Sequence, residues 1–149
     1  EVGLMRSAEK FIKKSRLAGL IVTPPYSDNV EFIKLIESFD LPKVLISSGL
    51  NISEEDSIKT NDREVSMQMT DYLISNGHKR IAFIKGHPTH LCINDRFKGY
   101  QDAMNRAGIE IDNSIVENGL NSLSSGEQCA ERLLSLKERP TAIFSSNDE

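Results

Sequence analysis

The sequence has no long apolar run, few cysteines and no excess of positive charge, and each shortage closes off a class of function. Its continuous apolar stretches reach only four to six residues, far short of the ~20 that a membrane span requires. Lys and Arg number 18 against 22 Asp and Glu, a net charge of -4. Gripping a nucleic-acid backbone needs a basic face, so this segment is poorly suited to that work. Two cysteines, Cys92 and Cys129, do not make a disulfide scaffold, and a reducing compartment is the simpler reading. The opening residues Glu1-Val2-Gly3-Leu4 lack the basic and apolar regions of a signal peptide. There is no Gly-x-x-x-x-Gly-Lys loop and no Gly-x-Gly-x-x-Gly turn, so nucleotide phosphates have no visible cradle. A Gly-x-Ser-x-Gly elbow is missing too. His87 and His90 flank Pro88 with no third ligand at a metal-site spacing, and solvated loop histidines are the plain reading. Neither a metal nor a cofactor is expected.

What is present is a regular alternation. With 149 residues, 38% hydrophobic and 27% charged, the chain suffices for one ordinary domain or two small lobes. Residues 4–16 read as a helix with Leu4, Ala8, Phe11 and Ile12 on one core-facing stripe. The run Leu17 to Thr23, ended by Pro24-Pro25, suits a parallel strand covered on both faces. Asp28 or Asn29 caps a helix over 30–39, with Ile33, Ile36 and either Leu35 or Phe39 inward. Val44-Leu45-Ile46 forms a second strand. Residues 49–61 are polar and loop-like, with an acidic group Glu54-Glu55-Asp56 and only Ile52 and Ile58 as anchors.

A helix then runs from Asp62 to Asn76, its apolar stripe made by Val65, Met69, Tyr72 and Leu73, with Gly77 as the left-handed stop. Ile81 to Ile84 is a strand. The helix over 93–107 groups Phe97, Tyr100, Ala103, Met104 and Ala107 and stops at Gly108. Ile115-Val116 is a short strand. Ser124 or Ser125 opens a helix to Leu136, where Ser124-x-x-Glu127 fits a capping box. Thr141 to Ser145 is the last strand. Strands alternating with helices of this length mean parallel sheets flanked by helices, an α/β fold. The long polar link at 49–61 can carry the chain from one sheet to a second.

In such sheets ligands lie beyond the carboxyl ends of the strands. The segments leaving those ends are Thr23 to Tyr26, Ser47 to Gly49, Gly86 to His90, Asn118 to Asn121 and Ser145 to Asp148, all rich in hydroxyl, amide and small residues. Such groups suit a polyhydroxylated or otherwise polar small ligand. Arg96 falls in the first turn of its helix, the unfavourable end of the dipole for a cation. Either it binds vicinal oxygens or a carboxylate as a planar fork, or it makes a surface salt bridge to Asp95 or Asp102. Cys92 reads as a small buried or pocket-lining thiol and Cys129 as core. Asp148 and Glu149, adjacent at a strand end, point apart. These residues describe a binding module more readily than an enzyme.

Three passages carry a resemblance that covers nearly the whole chain. Leu17 to Pro24, the nearly continuous match from Leu73 to Gly86 through Gly77-His78-Lys79-Arg80-Ile81-Ala82, and the ordered set Arg96-Phe97-x-Gly99-Tyr100, Ala103-Met104-x-x-Ala107-Gly108 and Arg139 to Asp148 are similar to the lactose-repressor (LacI/GalR) family of transcriptional regulators. The resemblance implies the effector-binding core of such a regulator. It implies two Rossmann-like lobes of the kind found in periplasmic sugar-binding proteins, with ligand held between them, incomplete at both ends. Residues 1–60 would belong to the N-terminal lobe and 61–149 to the C-terminal lobe, with the crossing near Thr60-Asn61.

By position, Arg96 and Asn147 match effector contacts of the family. Ser47 stands where a strand-end Asp is usual, and Cys92 and Asn121 fall at variable pocket positions, with Tyr26 a further candidate from the first lobe. The family's usual Asp before the next helix is Asn61 here, followed by Asp62. The expected effector is a sugar or similar small molecule, and the setting is the cytoplasm. A homodimer is expected, with operator DNA reached only through a headpiece that this chain lacks. A chain with no initiator Met that stops just past a buried-looking strand reads as part of a longer protein. The alternative is a periplasmic sugar- or solute-binding component of a transporter, on the same fold.

Overall fold

The structure, a computed structural model, describes residues 2–50 and 56–148, with the backbone alone at Val2 and Leu4. The expectations placed on Ile52, Glu54, Glu55, Glu149 and the Leu4 side chain lie outside the described residues. The chain divides into two compact units, Glu1–Thr60 and Asn61–Glu149.

The first unit contains α1 (Val2–Lys14), β1 (Leu20–Val22), a 3-10 turn (Tyr26–Asp28), α2 (Val30–Glu37), β2 (Lys43–Ile46) and β3 (Ser57–Ile58). The strands form a parallel sheet in the order β1-β2-β3. Asn29 is the cap of α2, its side-chain oxygen accepting from the Phe32 amide at 3.0 Å. Ile12, Val22, Ile33, Ile36 and Leu45 make one core cluster, with Phe39 packed against it. Phe11, expected in the core stripe with Ile12, is instead exposed. The expected loop at 49–61 hides β3, where Ile46 pairs with Ile58. Two residues with a single apolar side chain give no period for a sequence to show.

The second unit contains α3 (Asp62–Ser75), β4 (Ile81–Lys85), α4 (Cys92–Arg106), a 3-10 turn (Asn113–Ile115), β5 (Val116–Asn118), α5 (Leu123–Ser135) and β6 (Ala142–Ser145). Its parallel sheet runs β5-β4-β6. Central β4 is buried on both faces. Ile81 and Phe83 pack with Tyr100 and Met104 of α4, and Ala82 and Ile84 pack with Cys129 and Leu133 of α5. The alternation of a strand thus distributes one apolar run between two layers.

Helix α3 corrects the sequence reading. Val65, Met69 and Tyr72 are 60%, 47% and 63% exposed, while Ser66 and Thr70 are buried. Only Leu73 of the expected stripe, with Ile74, reaches the core. The reason is the approach of α4. A Cβ on Gly99 would stand 2.1 Å from the Arg63 carbonyl oxygen, so the helices meet backbone to backbone. Small polar residues fit that contact: the Ser66 hydroxyl donates to the Arg96 carbonyl at 2.6 Å and the Thr70 hydroxyl to the Ser66 carbonyl at 2.9 Å. The cap of α5 also differs. Ser122, rather than Ser124 or Ser125, is the N-cap and accepts from the Ser125 amide at 3.4 Å.

Candidate ligand site

In the second unit the carboxyl ends of the strands are tied to one another. The Gly119 amide donates to the Lys85 carbonyl at 2.8 Å and the Ser146 amide to the Ile84 carbonyl at 2.9 Å. Asn121, in the left-handed region at φ 54°, accepts from the His87 amide through its side-chain oxygen at 2.9 Å. That oxygen therefore joins the loop after β5 to the loop after β4. Cys92 is buried at the start of α4.

Arg96 resolves its conflict with the helix dipole through a partner that sequence spacing did not indicate. Its Nε donates to Asp62 Oδ1 at 2.7 Å and its Nη1 to the Ser146 carbonyl at 2.5 Å. The expected surface partners are occupied elsewhere: Asp95 pairs with Lys98 at 2.9 Å and Asp102 with Arg63 at 2.6 Å. Asp62 opens α3 and supplies the negative charge that offsets a cation near the amino end of α4. A guanidinium held from two sides keeps its plane fixed, and Nη2 is left without a bond among the described residues. Its side chain is 31% exposed. The Asn147 side chain, half-buried, makes no hydrogen bond among the described residues. Ser146 is 4% exposed and its hydroxyl has no partner among the described residues. A buried hydroxyl in that state is costly, and it marks a place where a bonding group is wanted.

The oddity of Arg96, a cation where the helix dipole is positive, called for a partner in the sequence without pointing to Asp62. Ser146 lay within the strand-end segment Ser145 to Asp148 without being singled out, and Lys85 had no signal. The Lys85 ammonium stands 3.8 Å above the centre of the Phe97 ring, and Phe97 packs on Phe83 with centroids 5.2 Å apart.

The first unit has its own polar strand ends. The Ser48 hydroxyl donates to the Ser27 carbonyl at 2.6 Å and the Ser27 hydroxyl to the Ile46 carbonyl at 3.1 Å. The Gly49 amide donates to Asp28 Oδ1 at 2.7 Å. Ser47 takes a left-handed backbone at φ 52°, its amide bonded to the Ile58 carbonyl at 2.8 Å. The Tyr26 ring lies 5.2 Å from Phe32 and lines an apolar cavity of about 240 Å³ with Phe11, Ile21 and Phe32. Among the described residues no cluster of three His, Cys, Asp or Glu side chains is placed to hold a metal.

A second group of perturbed residues in the second unit is structural. Burial, with a contribution from Asp112, pushes the Tyr100 phenol up to about 12, and its hydroxyl donates to the Ile81 carbonyl at 2.9 Å. Asp112 is held at about 2 by the Ser114 hydroxyl, then Arg80 and the Ser114 amide. These lie at the amino end of β4, away from the strand ends carrying Arg96.

The second unit's parallel sheet thus brings a restrained arginine to its polar carboxyl ends, the end at which open parallel sheets take small ligands. The chain belongs to the family described as periplasmic binding proteins and sugar binding domain of LacI family, whose model matches residues 4–149. It is 32% identical over 141 residues to the HTH-type transcriptional repressor PurR of Vibrio atlanticus, a match covering 93% of this chain and 42% of that protein. Its fold is similar to the transcription regulator CcpA of Lactococcus lactis, with a TM-score of 0.78 and 27% identity over 99% of this chain and 54% of that one. It is likewise similar to a sugar-binding transcriptional regulator of the LacI family from Escherichia coli complexed with phosphate, with a TM-score of 0.77 and 26% identity over 96% of this chain and 51% of that one. The chain therefore spans less than half the length of the curated relatives it matches. Among the described residues no helix is long and apolar enough to cross a membrane.

Proposed function

We propose that this chain is part of the effector-sensing core of a LacI-type transcriptional regulator, residues 1–60 contributing to its N-terminal lobe and 61–149 to its C-terminal lobe. The effector is a sugar or a similar polar small molecule. Arg96, Asn147, Cys92 and Asn121 contact it from the second unit, and Ser47 and Tyr26 from the first. The carrying observation is the guanidinium of Arg96, fixed by Asp62 and the Ser146 carbonyl with Nη2 left to donate. That fixed nitrogen carries donors for the oxygens of a hydroxylated ligand. The repressor relatives favour a regulator over a transporter component.

Effector binding acts by differential affinity: a ligand that binds one conformation of the regulator more tightly shifts the population toward it. The regulator works as a homodimer in the cytoplasm and meets operator DNA through a headpiece outside this chain. It catalyses no reaction.

Isothermal titration of the intact regulator against a sugar and nucleoside panel tests this reading. Arg96→Ala is expected to abolish effector binding with the far-UV spectrum retained, and to lower Tm because Asp62 loses this ion-pair partner. Unchanged affinity in that variant removes Arg96 from the site.

A further inference from the structure

Strand alternation puts two groups on the same face of the second unit's sheet. Phe83 and Phe144 are register partners on β4 and β6 and share the core cluster beneath α4. Moving two residues along each strand brings Lys85 and Ser146 to that same face, since side chains repeat every second residue. Lys85 Nζ is there, over the ring of Phe97, which is the neighbour of Arg96 in α4. The buried hydroxyl of Ser146, without a partner among the described residues, is there too. One corner of the strand ends thus gathers an ammonium, a guanidinium and an orphaned hydroxyl.

The charges in this corner do not cancel. Arg96 has Asp62. Lys85 makes no ion pair among the described residues, and exposed Asp148 pairs with neither cation. An aromatic face attracts an ammonium without neutralising it. A half-buried cation at a strand end, packed on an apolar ring with no ion-pair partner among the described residues, gains most from an anion delivered by a ligand.

We propose that Lys85 reads charge on the effector, and that the effector is an anionic polyol, carrying a carboxylate or phosphate on a hydroxylated frame. The anionic group is taken by Lys85, and the neighbouring hydroxyls by Arg96 Nη2 and Asn147. This rests on the reading of these strand ends as the effector site.

Titration of the intact regulator with matched pairs tests it: glucuronate against glucose, galacturonate against galactose, and phosphorylated ribose against ribose. The expected result is at least a tenfold preference for the charged member of one pair, weakening as salt rises. The uronate and phosphate arms tell the two anions apart. Lys85→Met, which keeps the apolar stem over Phe97, is expected to collapse that preference and its salt dependence. Lys85→Arg should retain it, and Lys98→Met, on the exposed side of α4, should leave it as in the parent. The wild-type preference is itself a test that needs no variant to fold.

Equal or tighter binding of the neutral member, lost in Arg96→Ala, overturns the charge reading and leaves the effector site standing. A preference that survives in Lys85→Met overturns the role of Lys85. Binding insensitive to Arg96→Ala, or no binding by any member of the panel, removes the site and this inference with it.

Discussion

The two units treat similar apolar runs differently. In the second, Ile81 to Ile84 are all buried, because α4 covers one face of β4 and α5 the other. In the first, Val22 is buried while its neighbour Ile21 is 74% exposed, and α1 and α2 both contribute to a single cluster. Leu20-Ile21-Val22 and Ile81-Ala82-Phe83 look alike as strings. What separates them is the number of layers around them among the described residues. An apolar run therefore identifies a strand, and the helices that follow in sequence decide whether one or both of its faces are filled.

The largest expected effect sharpens that contrast. Phe83→Ala, at the centre of the second unit, should cost about 3–5 kcal/mol, whereas Ile21→Ala should stay within about 0.5 kcal/mol of the parent. Urea unfolding of the intact protein, with amide exchange resolving the units, checks both. Comparable losses at the two positions would mean that the exposed face of β1 is covered in solution.

A smaller effect is expected at the contact between α3 and α4. Gly99→Ala would push a methyl group to within 2.1 Å of the Arg63 carbonyl and 2.8 Å of the Met67 amide nitrogen. Overpacking of that kind costs about 1–3 kcal/mol, and the helices must separate to relieve it. The loss should register in amide exchange of the second unit and leave that of the first in place.

The smallest effect is a pH dependence confined to the second unit. Asp112 sits at about 2 when folded, below the ordinary carboxylate value near ~4. Its contribution is therefore full above that ordinary value and disappears as pH falls toward the folded one. Solvent screening of a group this exposed keeps the contribution under about 1 kcal/mol. Asp112→Asn should flatten the acid limb of stability for the second unit and leave that of the first as it was.

Much of this fold was legible because local rules agreed with tertiary packing. Gly77 and Gly108 end their helices with positive φ, at 91° and 66°, where the sequence calls for a left-handed stop. Asn29 caps α2 as one of two named candidates. Legibility failed where a close contact overruled the period. Val65, Met69 and Tyr72 satisfy a helical stripe, yet Gly99 draws α4 onto the opposite, small-residue face of α3. It failed again at β3, which is too short to carry a pattern.

At the candidate site the position of Arg96 was readable from its motif and its awkward place in α4. Its true partner was not, because Asp62 stands 34 residues away along the chain. Lys85 was invisible for a different reason: a lysine at a strand end has the look of ordinary surface until the ring beneath it is seen.

Asp62 has a second consequence. It is the first residue of α3 and sits two positions past Thr60, where the first unit ends. This one carboxylate ties the first turn of α3 to the guanidinium near the start of α4. A single ion pair thereby pins the leading turn of the second unit to the tips of its own sheet.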